Sequence, residues 1–183
     1  DEFVSDLANI SPVLATSVGD HSADGELDDV DDAARAETLT LYREYKTALG
    51  ALDRNELTRA NQVDAEMLLH EIESSIWSIE TLKEWAWNPL YYVNMSGNAI
   101  YALMARDFAP IEQRLTAAAS RLEQLPRFLE QARGSIEPDR VPKIHAETAI
   151  KQNPGLSSII EAMIVPNMDA LPAAQQARLN AAI

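Results

Sequence analysis

The chain has 183 residues, 46% of them hydrophobic and 24% charged, which is the length of one domain and enough to bury a core without a disulfide or metal staple. It has no cysteine, which excludes disulfides, thiolate catalysis, iron–sulfur clusters and cysteine-based zinc sites. Lys and Arg number 15 against 29 Asp and Glu, a net charge of −14, and so acidic a chain lacks the basic footprint that nucleic acid or anionic lipid requires.

In chain order the pattern is helical throughout. Residues 3–9 predict a short helix, broken at Pro12, with a further turn to Thr16 and a loop over 18–30. Asp31 or Asp32 caps a helix reaching about Leu49, whose Leu39, Tyr42, Tyr45 and Leu49 recur at three and four, and Gly50 stops it. The longest predicted helix covers 56–86. Its stripe of Val63, Met67, Ile72, Ile76, Ile79 and Leu82, widened by Leu69 and Trp77, calls for several neighbours. Asn88-Pro89 ends it, because the residue before proline avoids helical angles.

A short helix follows at 97–106, then one from Pro110 to Leu122 that Pro126 kinks or restarts, continuing to Arg133. Pro142 opens another to Lys151. Residues 153–155 turn, 156–164 form a helix, and Pro166 and Pro172 bound a linker. Residues 173–183 make a helix with no stop signal, which predicts a truncated helix and a unit belonging to a larger protein. The expected fold is therefore all-α, an irregular bundle of seven or eight helices around the helix at 56–86, forming one helical unit over 1–183.

The charge is uneven. Residues 1–37 hold eleven acids and one base, Arg35, so this acidic helix-loop carries −10 of the −14. Within it, residues 20–31 read DHSADGELDDVD. On a twelve-residue calcium loop Asp20, Ser22, Asp24, Asp28 and Asp31 fall at ligand positions, with Gly25 at the turn and Leu27 at the apolar eighth place. The twelfth ligand is normally Glu, and no second loop pairs with this one. A solvated acidic loop is the plainer reading.

Other motifs fail on inspection. His70-Glu71 needs a histidine at Ser74 to become a zinc-protease motif, which leaves His70 as a surface residue paired with Glu66. His145-Ala146-Glu147 lacks the cysteines of a zinc deaminase. No phosphate loop, serine triad or membrane-length apolar run is present. The aromatic cluster Trp85-Ala86-Trp87-Asn88-Pro89-Leu90-Tyr91-Tyr92 reads as core or a helix corner, with a cleft as the second reading. Arg106, Asp107 and Arg114 read as a buried ion-pair network holding the following helix.

Four stretches in order resemble the bacterial family catalogued as domain of unknown function 885. They are residues 11–21 with Asp24, Leu27 and Asp28; Val63-Asp64 with Leu68; Trp87-Asn88-Pro89-Leu90-Tyr91; and Arg106-Asp107-Phe108-Ala109-Pro110 with Arg114-Leu115, Arg121-Leu122, Pro126 and Ala149-Ile150. The resemblance covers nearly the whole chain and implies helical zinc metallopeptidases of the gluzincin type. The family's metal motif, His-Glu followed by Pro-Gly-His, has no match here, so no catalytic or metal residue carries over.

The resemblance thus implies the N-terminal scaffold and cleft wall of a zinc-dependent peptidase or hydrolase, with zinc held outside this chain. Its partner would be the remainder of the same polypeptide, and its substrate a peptide. Tyr91, Tyr92 and Asn94, expected on a loop past the long helix, are the candidates to face substrate. The alternative is a non-enzymatic helical protein-binding module, calcium-stabilised at 20–31. Both the bacterial cytoplasm and export fit a chain that starts Asp1-Glu2-Phe3 without a signal pattern.

Overall fold

The computed structural model describes residues 2–183. Ten α-helical segments follow one another, α1 (Glu2–Ile10), α2 (Pro12–Val18), α3 (Asp32–Gly50), α4 (Arg59–Trp77), α5 (Glu84–Trp87), α6 (Pro89–Met104), α7 (Ile111–Ser135), α8 (Lys143–Gln152), α9 (Gly155–Ile159) and α10 (Ala173–Ala182), with no strand among the described residues. Short polar side chains start several of them. Ser11, Asp31 and Thr58 accept the backbone N–H groups of Leu14, Ala34 and Asn61, each satisfying a donor that the first helical turn leaves unpaired. Gly19, at φ 94°, closes α2 in a left-handed conformation that a side chain would resist.

The helix expected over 56–86 is divided. α4 stops at Trp77, a π-turn spans Ser78–Leu82, and Lys83 takes φ 52° before α5. The indole N–H of Trp85 donates to the Ile79 carbonyl and that of Trp87 to the Leu82 carbonyl, both at 3.0 Å. These two tryptophans satisfy acceptors that a continuing helix would have used, so the aromatic cluster is the corner that ends the helix. Nor is this segment the hub of the bundle, since Ile72 is the one buried residue of α4; Val63, Met67 and Trp77 of the predicted stripe are exposed, because nine residues at about 100° each set position 63 opposite position 72.

The hub is α7, with ten buried residues along its 25. Pro126 sits inside it without ending it. A mid-helix proline costs about 3 kcal/mol, and the burial of Leu122 and Phe128 on either side opposes that cost. One core joins α6, α7, a π-turn over Ile160–Ile164 and α10 through Leu103, Leu115, Ala118, Ile164 and Leu179; a second gathers Leu27, Val30, Tyr92, Ala99, Phe128 and Ala132.

A further difference lies at residues 89–104. Asn88 accepts the Leu90 N–H, and Pro89, lacking a donor, fits the first turn. The Asn88-Pro89 pair therefore opens α6 as well as closing α5, and residues 91–96 are helix rather than loop. Near the other end, the helix expected at 156–164 becomes α9 and a π-turn over Ile160–Ile164, and the linker is a 3-10 turn, Val165–Ala170.

Candidate functional site

The acidic loop at 19–31 lies along α7 and is held by a ladder of polar side chains from that helix. Arg121 is 1% exposed. It donates to the carbonyls of Glu26 (2.8 Å), Ala99 (2.7 Å) and Pro12 (3.2 Å) and to the Thr16 hydroxyl (2.7 Å). Gln124 bridges the Leu27 N–H and the Gly25 carbonyl. Arg127 donates to the Leu27 carbonyl and pairs with Asp29. Gln131 accepts the Val30 N–H and donates to Asp29, and Ser135 donates to the Val30 carbonyl. Their spacing of three and four puts them on one side of α7. The sequence carries this recurrence as polar residues at 121, 124, 127, 131 and 135.

The acids of the loop have separate tasks. Asp24 accepts the Thr16 hydroxyl at 2.7 Å and faces His21 Nδ1 at 3.1 Å, and the His21 ring stacks on Phe108 at 3.7 Å. Asp28 accepts the Ser11 hydroxyl (2.8 Å) and the Val13 N–H (2.9 Å). Asp20 accepts the Ser22 N–H, and Asp31 caps α3. Burial pushes the Arg121 guanidinium below its ordinary range, while Asp24 and Asp28 pull it back up. Part of the excess acid of residues 1–37 therefore balances a buried cation.

This arrangement does not collect the carboxylates around one point as a calcium loop would. Among the described residues no group of three or more His, Asp or Glu side chains is disposed to hold a metal. The histidines are also dispersed: His21 at the loop, His70 exposed on α4, and His145 facing the Asn88 side-chain oxygen at 3.0 Å. A zinc centre does not fit the residues present. Glu66, read as the partner of His70, pairs with Arg54.

Two adjoining hollows flank the loop and share Ser11, Leu14, Leu27, Asp28 and Met95 in their walls. One, of about 460 Å³, opens between α2 and α6 and is mainly apolar, with Asn98 and Arg106 among its polar groups. The other, of about 740 Å³, runs between the loop and α3 past Arg35, Tyr42, Trp85 and Tyr91. The Arg35 guanidinium sits 4.0 Å over the Trp85 ring, a cation–π contact.

Tyr91 lines the larger hollow, and partial burial, with Tyr92 and Asp28 adding, holds its phenol above the ordinary value. Tyr92 is buried beside it and donates to the Trp85 carbonyl at 2.7 Å. Asn94 is exposed on α6. Arg114 donates to Asp107 at 2.7 Å and to the carbonyls of Met104, Arg106 and Ala109, tying down the start of α7; of the expected buried network only Arg114 is buried, since Asp107 is exposed and Arg106 donates to the Ser17 carbonyl.

An all-α unit with its acidic N-terminal loop strapped to a central helix, and a two-lobed cleft beside that strap, is what the fold and site define. The chain belongs to the family described as bacterial protein of unknown function, DUF885, whose model matches residues 12–183. It is also similar to a solved structure described as "a putative lipoprotein of unknown function from Shewanella oneidensis", with a TM-score of 0.89 and 28% identity over 99% of this chain. The match covers 33% of that protein, so this chain spans about a third of its length. No curated protein matches the chain. No helix among the described residues is long and apolar enough to cross a membrane.

Proposed function

We propose that this chain is the helical scaffold and one cleft wall of a larger zinc-dependent peptidase or hydrolase. The observation that carries the reading is the pair of adjoining hollows with Asp28 at their shared wall, in a unit that spans a third of a structural relative. Concave sites with apolar walls and a few fixed polar groups are where ligands bind. Val13, Leu14, Met95 and Phe128 suit apolar side chains of a peptide. Tyr91 would meet the substrate, with Tyr92 holding it from beneath and Asn94 at the outer edge of the same helix. Zinc and its ligands would lie outside positions 1–183, where the metal would polarise the scissile carbonyl and activate water.

On this reading the polypeptide that contains residues 1–183 also carries a His-Glu and Pro-Gly-His segment, and the test uses that polypeptide. Peptide hydrolysis that a chelator abolishes, with Tyr91→Ala raising KM more than it lowers kcat, is the expected result. Unchanged kinetics in Tyr91→Ala and in Met95→Trp, which would fill the shared wall, would overturn the cleft assignment. Zinc-dependent turnover by residues 1–183 alone would overturn the division of labour.

A further inference from the structure

Helix α4 carries large apolar residues on two sides. On one side Ile72 is buried and Leu68, Leu69 and Ile76 are half-buried, and the helix packs on α3. On the opposite side, positions 63, 67, 70, 74 and 77 recur at four and three and so share one face. They are Val63 (40% exposed), Met67 (66%), His70, Ser74 and Trp77 (54%). The stripe runs about 21 Å along the helix. One edge of α4 is tied to its surroundings by the Lys46–Glu73 and Arg54–Glu66 pairs, and the π-turn after it by Arg43–Glu80. At the other edge Asp64 and Glu71 are exposed, and neither forms an ion pair among the described residues.

We propose that this stripe is the seam against which the further polypeptide of a protein as long as the solved relative packs. The docking segment would be a helix with an apolar centre and basic residues along the edge that meets Asp64 and Glu71. Large apolar side chains left exposed on the side of a helix opposite its core contact form an interaction surface, here Val63 and Met67 at one end and Trp77 at the other, with His70 and Ser74 between them. A unit of this fold makes up 33% of the solved relative, which leaves two thirds of that polypeptide outside the unit. A second copy of this chain fits poorly, because it would set Asp64 and Glu71 against the same acids on a chain of net charge −14. The inference rests on the proposed function only in requiring the further polypeptide, and needs neither zinc nor hydrolysis.

The absence of cysteine makes position 67 a clean probe. Met67→Cys is labelled with a maleimide in the 183-residue chain, which has its own core around α6 and α7, and in the longer natural polypeptide, with modification at position 67 followed by peptide mass. The expected result is labelling at least about tenfold slower in the longer polypeptide, as the thiol loses access. Equal rates in the two would overturn the inference. So would protection in the 183-residue chain alone that grows with concentration alongside a dimer mass, which would identify a second copy as the occupant. As a second measurement, Met67→Lys should leave the melting temperature of the 183-residue chain unchanged and lower that of the longer polypeptide; an unchanged melt in the latter would also overturn it. Neither readout depends on catalysis, so an inactive longer polypeptide with a protected position 67 would remove the hydrolase reading and leave this one standing.

Discussion

The hydroxyl of Thr16 accepts a hydrogen bond from the Arg121 guanidinium at 2.7 Å and lies 2.7 Å from the Asp24 carboxylate to which it donates. A buried cation and a buried carboxylate are thereby joined through one neutral hydroxyl, 105 residues apart in sequence from the arginine. The remaining Arg121 donors go to carbonyls of three different segments. A buried charge is tolerable only when its hydrogen bonds are made, and here α2, the acidic loop and α6 make them together.

Arg121→Met should therefore destabilise the fold by about 3–5 kcal/mol, the scale of breaking a buried, hydrogen-bonded charge site. Arg121→Lys should recover little of this, since one ammonium cannot span acceptors on several segments. Urea unfolding followed by circular dichroism measures both. A midpoint equal to that of the parent chain would contradict the strap.

Tyr45 donates to Asp6 at 2.6 Å, joining α3 to α1, and that bond to a carboxylate pushes its phenol up to about 12. The folded chain thus holds this proton more tightly than the unfolded chain, whose phenol titrates near 10. The contribution to stability is complete below about pH 10 and lost as the pH rises toward about 12. Tyr45→Phe should flatten that alkaline decline. Melting temperatures of the two chains between these limits are the check, and parallel curves would show that the bond is not felt.

Lys83 is the one described non-glycine residue at positive φ. Left-handed backbone costs a side-chain-bearing residue roughly 1–2 kcal/mol, and glycine gives back part of the gain through its freer unfolded state. Lys83→Gly should raise stability by about 0.5–1 kcal/mol, read as a higher denaturation midpoint. A lower midpoint would mean that the turn depends on the lysine side chain.

The separate commitments of Asp20, Asp24, Asp28 and Asp31 lead to a simple expectation for cations. A ligand that binds only the folded state raises its stability, so melting in calcium and in a chelator should coincide. A calcium-dependent rise that Asp24→Asn abolishes would show that the loop rearranges to bind.

Local signals carried much of the architecture. Asp31 before an apolar period of three and four marked α3, and Pro142 marked α8, because capping and proline chemistry act within one turn. The tryptophan corner was less legible. Trp85 and Trp87 end the helix by reaching back to the Ile79 and Leu82 carbonyls, and an apolar stripe continues through such a break without a mark. Asn88-Pro89 misleads for a related reason, since the same pair closes one helix and caps the next. The cleft was legible only in part. Its aromatic edge at Tyr91 is a dense local cluster, whereas the Asp28 wall arises where α2, the loop and α6 meet, a coincidence of distant segments that no local spacing records.

The strap also fixes an order of events at the ribosome. Glu26 is made 95 residues before Arg121, whose guanidinium it receives. At bacterial and eukaryotic elongation rates of about 5–20 residues per second, that separation is a wait of roughly 5–20 s. Throughout it the acidic segment has no docking helix, and it settles only once α7 has emerged to receive it.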